Sequence, residues 1–297
     1  MEKIISIKNL SIGFQSQLNK KNVVHSISFD IPKGKTVALV GESGSGKTIT
    51  ALSILKLLPY PSAYHDAGTI IYKNNNLLKI SDKEIQKIRG KYITTIFQEP
   101  MSSLNPLHTI EKQIIEIIMI HSKISHKEAS IKTKELLISV GLESISDRPK
   151  SYSYELSGGQ RQRVMIAMSI ANNPDLVIAD EPTTALDVTI QLQILKLLKT
   201  LQKKLNMAIL FISHDLDVVK NIADFICIMK DGNIVEQNTK ENIFNNPQHQ
   251  YTKELIGLKN YKKEYKSFNQ KLLLRIENLK VWYPIKKGIL RRVVDHV

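Results

Sequence analysis

A glycine-rich loop near the start of the chain contains the residue types that bind a chain of phosphates. Residues 41–48 read GESGSGKT and match the P-loop pattern G-x-x-x-x-G-K-[ST]. Backbone N–H groups at a helix N-terminus attract anions, and glycine lets the backbone approach phosphate oxygens closely. The lysine adds a point charge, and the threonine hydroxyl is a ligand for Mg²⁺. The predicted nucleotide site comprises Gly41, Ser43, Gly44, Ser45, Gly46, Lys47 and Thr48.

The segments on either side of this loop support that interpretation. Residues 36–40 form a short apolar run rich in β-branched residues, which is typical of a buried strand. Residues 48–58 have a helical pattern. A strand, a glycine-rich loop and a helix in this order are the context that a P-loop requires. The alternative, a glycine- and serine-rich turn with a stray lysine, does not explain this context.

Two other strand-like runs end in residues that can act on a proton or a metal ion. Asp180 and Glu181 follow one apolar run, and His214 follows another. Asp180 can reach the coordination shell of Mg²⁺ through Thr48 or a water, while Glu181 can polarise an attacking water. His214 can contact a γ-phosphate and hold the water and Glu181 in register. For each residue taken alone, a solvated strand end or a packing role is the alternative.

The order of patterns along the chain predicts a parallel α/β core. Residues 4–10 and 23–31 alternate apolar and polar side chains, as strands with one buried face do. Residues 81–171 are mostly helical in pattern, with a helix predicted at 110–121, and Ser125 with Glu128 matches a capping box. Strand-like runs follow at residues 176–179 and 208–212, with a helical stretch at 190–204 between them.

Composition limits the partners and the compartment. The chain has 297 residues and a net charge of +14, but its lysines are scattered, with no basic block interleaved with aromatic residues. We therefore expect a solvated surface and no nucleic-acid partner. The single cysteine, Cys227, permits no disulfide within the chain, which fits a reducing compartment. No apolar run approaches the roughly 20 residues of a membrane-spanning helix, so membrane association is expected to come from a partner.

The end of the chain repeats the pattern of its beginning. Residues 257–270 are polar and rich in lysine and tyrosine, which is typical of a linker. Residues 274–283 then resemble residues 5–14, and 293–297 resemble 23–27, although the spacing between the two blocks differs by one residue. Two matching blocks in the same order favour a duplication over coincidence.

This repeat predicts the domain boundaries. We expect one domain at residues 1–258, a linker at 259–271 and the start of a second copy at 272–297. Gly41 follows Leu10 by about 30 residues, and the same interval from Leu279 falls beyond Val297. The second copy is therefore expected to be truncated before a P-loop. A truncated gene product, a split gene and a partial chain all remain open.

One further motif leads to a family resemblance. The motif LSGGQ lies at residues 156–160. It occurs together with the P-loop, with Gln98 in FQEP, with LVIADEPTTALD at 176–187 and with ISHD at 212–215. In this order the motifs resemble the nucleotide-binding domain of the ATP-binding cassette (ABC) family, over about residues 1–256. The resemblance implies a P-loop NTPase fold with a RecA-like parallel-sheet core. It also implies an N-terminal antiparallel β part and a helical subdomain at about residues 100–171.

The resemblance implies roles for single residues. Gln98 resembles the Q-loop glutamine, which touches Mg²⁺ or water and links the site to a transmembrane partner. Ser157 and Gly159 resemble the signature residues that bind the γ-phosphate held by the opposite module, and Asp187 belongs to a loop that crosses the dimer interface. Phe14 occupies the position of an aromatic residue that stacks on adenine, with packing in an edge sheet as the alternative. The implied catalytic residues are Glu181, His214 and Gln98, and the implied metal-site residues are Thr48, Gln98 and Asp180.

Two further segments resemble a subfamily. QEPMSSLNP at residues 98–106 and NPQHQYT at 246–252 are similar to ATPases of oligopeptide, dipeptide and nickel importers. Many of those ATPases have a C-terminal cysteine cluster for an iron–sulfur centre, which a chain with one cysteine cannot form. Residues 274–297 instead resemble the opening of the second cassette in fused peptide or microcin-type importer ATPases.

The resemblance implies a Mg²⁺-dependent ATPase that energises a peptide-type importer from the cytoplasmic face of the inner or plasma membrane. Its expected partners are transmembrane permease subunits, a second ATPase module in a homo- or heterodimer and, indirectly, an extracytoplasmic solute-binding protein. Two alternatives are a soluble ABC ATPase that acts on nucleic acid or ribosomes and a non-catalytic remnant of a fused ATPase. The sequence does not identify the transported solute.

Overall fold

The computed structural model describes residues 1–16, 19–98, 103–184, 186–257, 274–281, 284–287 and 292–296. The chain divides into two units, Met1–Leu258 and Lys259–Val297. The strands of the first unit are β1 (Lys3–Gln15), β2 (Lys20–Pro32), β3 (Thr36–Val40), β4 (Ala63–Tyr72), β5 (Asn75–Asn76), β6 (Ile93–Ile96), β7 (Leu176–Asp180), β8 (Ala208–Ser213), β9 (Phe225–Lys230) and β10 (Asn233–Thr239).

The α-helices in the described part of the first unit lie between and after these strands. They are α1 (Lys47–Ile54), α2 (Asp82–Ile88), α3 (Ile110–His121), α4 (His126–Ser139), α5 (Glu143–Ser146), α6 (Gly158–Ile170), α7 (Val188–Leu205), α8 (Leu216–Ile222), α9 (Lys240–Asn245) and α10 (Gln250–Gly257). None of the helices in the described parts of the chain is both long and apolar enough to cross a membrane.

The first strands form an antiparallel sheet in the order β2-β1-β4-β5. β1 is longer than the predicted strand at residues 4–10 because it continues beyond an irregular register. Asn9 has a φ of 49°, and the pairing of β1 with β4 shifts between Lys8 and Ser11. The shift breaks the alternation of side chains that the prediction relied on. The sheet is the predicted N-terminal antiparallel part.

The second sheet has the order β10-β9-β3-β8-β7-β6. Every pairing in it is parallel except that of β10 with β9. Alternate residues of β3 face opposite sides: Ala38 and Val40 belong to one buried apolar cluster, and Val37 and Leu39 belong to the other. The predicted parallel α/β core is thus confirmed, and its central strands are covered on both faces, as parallel strands require.

Helices α3 to α6 follow β6 and pack on one another. The helix predicted at residues 110–121 has those bounds, and the capping box of Ser125 and Glu128 is confirmed. Helix α1 is shorter than the predicted stretch at 48–58. It ends at Ile54, because Lys56 has a φ of 50°, which an α-helix cannot contain.

The second unit contains a two-stranded antiparallel sheet of β11 (Pro284–Lys287) and β12 (Arg292–His296). Residues 274–281 are described but form no strand. The residues they resemble lie in β1, which pairs along both edges with β2 and β4. Strand pairing of that kind depends on neighbouring strands as well as on the local pattern.

Candidate nucleotide site

The P-loop connects the end of β3 to the start of α1. Gly44 and Gly46 have φ angles of 82° and 98°, a left-handed conformation that glycine adopts without strain. Nζ of Lys47 turns back into the loop and donates to the carbonyl oxygens of Gly41 and Glu42, over 2.7 Å each, and to Oγ of Ser45 over 3.3 Å. The loop is therefore curled around its own lysine.

The register of the parallel strands brings the other predicted residues to this loop. Val40 pairs with Ser213, so the start of the P-loop lies beside His214. Ile212 pairs with Asp180, which places the two acids on the next strand end. Carboxyl ends of adjacent parallel strands in an open α/β sheet form the crevice where ligands bind.

Asp180 and Thr48 make the first contact across this crevice. Oγ1 of Thr48 donates to Oδ1 of Asp180 over 3.1 Å. Both atoms are hard oxygen ligands of the kind that Mg²⁺ prefers, and they lie at the end of the P-loop that carries Lys47. The pair therefore fits a magnesium ion that also takes phosphate oxygens and waters. Within the described residues, no group of three or more His, Cys, Asp or Glu could hold a metal by itself.

Glu181 is bound by three side chains from different parts of the chain. Nε2 of Gln98 donates to Oε2 over 2.9 Å, and Oγ1 of Thr184 donates to the same oxygen over 3.0 Å. Nδ1 of His214 lies 2.9 Å from Oε1. The structure thus brings Gln98, Glu181 and His214 together. The contact of Thr184 was not predicted. The residue lies within the motif at 176–187, but no spacing rule indicates that its hydroxyl binds the carboxylate of Glu181.

The backbone of Glu181 explains why consecutive acids point to different partners. Its φ is 45°, in the left-handed region that residues other than glycine seldom adopt. Its N–H donates to the carbonyl oxygen of Ile212 over 3.1 Å, which holds the turn against β8. Asp180 consequently contacts Thr48, while Glu181 contacts Gln98 and His214. Such strain is concentrated at functional sites.

Burial and charge shift the pKa values of the three charged groups. Burial raises the pKa of Asp180, against the opposing hydrogen bond from Thr48. Burial lowers the pKa of Lys47, against the attraction of Glu181 and Asp180. Burial also acts to raise the pKa of Glu181, but hydrogen bonds from His214 and Thr184 outweigh it, and the pKa is lowered. Glu181 is therefore ionised at neutral pH, the state from which a general base acts.

The signature residues form a separate group. Ser157 caps α6, where its Oγ accepts from the N–H of Gln160 over 3.3 Å and Oε1 of Gln160 accepts from the N–H of Ser157 over 2.9 Å. A Cβ on Gly159 would lie 2.9 Å from Cγ2 of Ile190, so the first turn of α6 packs closely on α7. Asp187 caps α7 by accepting from the N–H of Ile190 over 2.9 Å.

Within residues 1–16, 19–98, 103–184 and 186–257, no hydrogen bond joins Ser157, Gly159 or Asp187 to the P-loop. Ser157 and Asp187 are exposed. Phe14 lies in β1, opposite Lys21 and Ala63, is half-buried and packs against the apolar cluster that includes Ile12. The structure thus brings the P-loop, the acids, Gln98 and His214 together, while Ser157 and Asp187 are exposed apart from them.

The family follows from comparison of the sequence with known proteins. The profile of the ABC transporter family matches residues 24–184, which is more than half of the chain. The chain belongs to the ABC transporter family. The matched segment of this ABC cassette includes the P-loop, Gln98, the signature and both acids, so the family resemblance expected from the motifs is confirmed.

Similar proteins place the ABC cassette among transport ATP-binding proteins. It is 50% identical over 295 residues to the peptidoglycan transport ATP-binding protein YejF of Agrobacterium fabrum, covering 99% of this chain and 54% of that protein. It is 48% identical to the oligopeptide transport ATP-binding protein OppD of Bacillus subtilis, over 86% of this chain and 71% of that protein. The chain spans about half the length of YejF from A. fabrum and of several other relatives it matches.

A solved structure supports the fold of the ABC cassette. A dimeric post-hydrolysis state of the ATP-binding cassette MJ0796, bound to ADP and Pi, matches with a TM-score of 0.70 and 28% identity. The match covers 80% of this chain and 98% of that one. The predicted fold class, a P-loop cassette with an antiparallel part and a helical part, is therefore confirmed.

Proposed function

We propose that residues 1–258 form a Mg²⁺-dependent ATPase module. The observation that carries this proposal is the position of Glu181, held by Gln98, Thr184 and His214 at a strand end next to the P-loop. A buried lysine, an oxygen pair suited to Mg²⁺ and an ionised glutamate in one crevice are the groups that phosphoryl transfer to water needs.

In this proposal the phosphates of ATP bind to the N–H groups of residues 43–48 at the start of α1. Lys47 exchanges the carbonyl oxygens of Gly41 and Glu42 for the β- and γ-phosphates, which offer it full negative charge. Thr48, Gln98 and Asp180 would hold Mg²⁺, which would neutralise charge on the phosphate oxygens. Phe14 stacks on the adenine ring.

Glu181 accepts the proton of the attacking water in the hydrolysis step. The water oxygen forms a bond to the γ-phosphorus while the bond from that phosphorus to the β–γ bridging oxygen breaks, giving ADP and inorganic phosphate. His214 and Gln98 keep the carboxylate of Glu181 aimed at the water. Positioning and charge stabilisation supply most of the rate enhancement in such reactions.

The site is proposed to be completed by a second ATPase module, in a homo- or heterodimer. The group of Ser157, Gly159 and Asp187 supports this, because Ser157 and Asp187 are exposed and none of the three makes a hydrogen bond to the P-loop of its own chain within the described parts. The helix N-terminus behind Ser157 favours an anion. The dimeric state of the solved relative agrees with such a pairing.

The module is proposed to energise an importer of peptides or related solutes. The relatives named for peptidoglycan, oligopeptide, dipeptide and glutathione transport support this solute class. We expect transmembrane permease subunits as direct partners, an extracytoplasmic solute-binding protein as an indirect one, and a peripheral location on the cytoplasmic face of the membrane. Residues 272–297 are proposed to correspond to the opening of a second cassette, because they resemble the beginning of the first.

The proposal is tested by measuring ATP turnover of the full chain as a function of its concentration. Specific activity that rises with concentration, together with nucleotide-dependent dimers in sedimentation experiments, is expected for a shared site. A Ser157→Arg variant should block turnover, while an equimolar mixture with Lys47→Ala should recover part of it, because one of the two composite sites is then intact. Equal specific activity at every dilution would contradict the shared site, and absence of Mg²⁺-dependent turnover would contradict the ATPase.

A further inference from the structure

One hydrogen bond joins the P-loop to a residue outside the predicted site. The backbone N–H of Glu42 donates to the hydroxyl oxygen of Tyr251 over 3.3 Å. Tyr251 lies on α10, beyond residue 184 where the family match ends, and its side chain is buried. The motif around it, NPQHQYT at residues 246–252, indicates in the sequence only a subfamily resemblance.

The backbone of Glu42 is thereby held on both sides of its Cα, through two successive peptide groups. Its carbonyl oxygen accepts from Nζ of Lys47, and its N–H is bound by Tyr251. The first bond is one that a nucleotide competes for, because phosphate oxygens attract the ammonium group more strongly than a neutral carbonyl does. The bond to Tyr251 uses no group that the phosphates need, so it can persist when nucleotide binds.

Gly41, the preceding residue, packs so closely on β9 that the loop cannot move toward that strand. A Cβ on Gly41 would lie 2.1 Å from the carbonyl oxygen of Met229, so the backbone there already touches the strand. The N–H of Gly232, just after β9, donates to the carbonyl oxygen of Ser45 over 3.2 Å. The P-loop therefore rests on β9 and on Tyr251, both C-terminal to the matched segment.

Tyr251 is itself held in place. Nζ of Lys230 lies 4.6 Å from the centroid of its ring, within the range of a cation–π contact. The carboxylate of Glu236 accepts from the N–H groups of Gln248 and His249, over 2.9 Å each, at the turn that begins α10. The hydroxyl thus reaches the P-loop from a braced helix.

We propose that Tyr251 is a positioning residue for nucleotide binding. By binding the N–H of Glu42, it fixes the backbone at the start of the P-loop. The N–H groups of residues 43–48 are then already oriented toward the phosphates before ATP binds. This inference rests on the proposed nucleotide site and adds a positioning residue from α10 to it. The residue does not touch the reacting atoms.

The test is the Tyr251→Phe variant of the full chain, which retains the ring, its packing and the contact with Lys230. The contact of the hydroxyl group with Glu42 is removed, so affinity for MgADP, measured by titration calorimetry, should fall about threefold to tenfold. KM for ATP should rise by a similar factor while kcat stays within about twofold, since the reacting groups are unchanged. The melting temperature without nucleotide should change by less than about 3 °C.

Tyr72→Phe is the matched control. Tyr72 is also buried and donates its hydroxyl to Asp175 over 2.5 Å, at the opposite end of β7 from Asp180. It should retain wild-type affinity for MgADP. Unchanged affinity in Tyr251→Phe, or an equal loss in Tyr72→Phe, would overturn the inference and leave the ATPase proposal intact. A wild-type chain that binds no MgADP would overturn both.

Discussion

Gln98 and Glu181 are 83 residues apart in the sequence, and Nε2 of the former donates to Oε2 of the latter over 2.9 Å. Gln98 follows β6 and Glu181 follows β7, so the bond links two adjacent strand ends. Because Oε2 also accepts from Thr184, the proposed base is oriented by a residue of its own turn and by one that leads into the helical part of the fold. A shift of that segment would alter the direction of the carboxylate.

Replacement of Glu181 by glutamine should separate binding from chemistry. The amide keeps the size of the side chain but cannot accept a proton, so ATP turnover should fall by about 10²-fold to 10⁴-fold. Affinity for MgATP should remain within a few-fold of wild type, because the phosphates are held by the P-loop. Turnover measured alongside calorimetric binding gives both values, and near-normal turnover in this variant would remove Glu181 from the base role.

The hydrogen bonds of His214 and Thr184 should be visible in the pH dependence of turnover. They lower the pKa of Glu181, so removing either donor raises that pKa. Since the ionised form is the active one, the acidic limb of the kcat/KM profile should move to higher pH in His214→Ala and in Thr184→Val. His214→Ala should also lower kcat by about 10-fold to 100-fold, because the carboxylate loses an orienting contact.

Thr184→Ser keeps the hydroxyl and serves as the control for Thr184→Val. Its acidic limb should coincide with that of the wild type. If His214→Ala and Thr184→Val also gave the wild-type profile, the pKa of Glu181 would not govern the reaction.

Asp180→Asn should stabilise the protein without nucleotide and remove its response to magnesium. Burial raises the pKa of Asp180, so its charge at neutral pH costs stability in the folded state. The variant should therefore melt at a higher temperature than the wild type at pH 7.5. This gain should shrink as the pH falls through the raised pKa, because the wild-type group then becomes neutral as well. Calorimetric scans across this pH range measure the difference.

The same pair of proteins tests the metal site. MgADP should raise the melting temperature of the wild type more than ADP with EDTA does. In Asp180→Asn the two additions should have the same effect. A full magnesium response in the variant would show that Asp180 is dispensable for holding the ion.

Two glycines of the P-loop should differ in their tolerance of alanine. A Cβ at position 41 would collide with the backbone oxygen of Met229, so Gly41→Ala should cost about 3 kcal/mol of unfolding free energy. At Gly44 no atom lies within 4 Å of a built Cβ, and only the φ of 82° opposes the substitution, at about 1 kcal/mol. Urea unfolding measures both, and equal costs would refute the collision.

Local signals made much of the site predictable. A strand that ends in a P-loop, two acids after an apolar run and a histidine after another are all patterns within a few residues. Parallel pairing of β3, β7 and β8 then brings these ends together without further information. The helix at residues 110–121 was predictable for the same reason, since Thr109 caps it and its apolar spacing is regular.

Contacts across the fold were not predictable in this way. The bond from Glu42 to Tyr251 joins residues 209 apart and depends on the position of α10. The bond from Thr184 to Glu181 is local, but it depends on the left-handed backbone of Glu181, which no sequence pattern records. Strand β6 has only four residues and lies in a stretch with mostly helical patterns, where a short apolar run is ambiguous. The continuation of β1 was hidden by its irregular register near Asn9.

The cap of α6 joins recognition to folding. Ser157 begins this helix through its reciprocal bonds with Gln160, and the same serine is proposed to meet the nucleotide of a neighbouring module. Fraying of the first turn of α6 would therefore also disrupt the surface that is proposed to bind the nucleotide of the neighbouring module. Heating, or a substitution of Gln160 that removes the cap, would in this way weaken the pairing of the two proposed modules, even while each still bound ATP in its own P-loop.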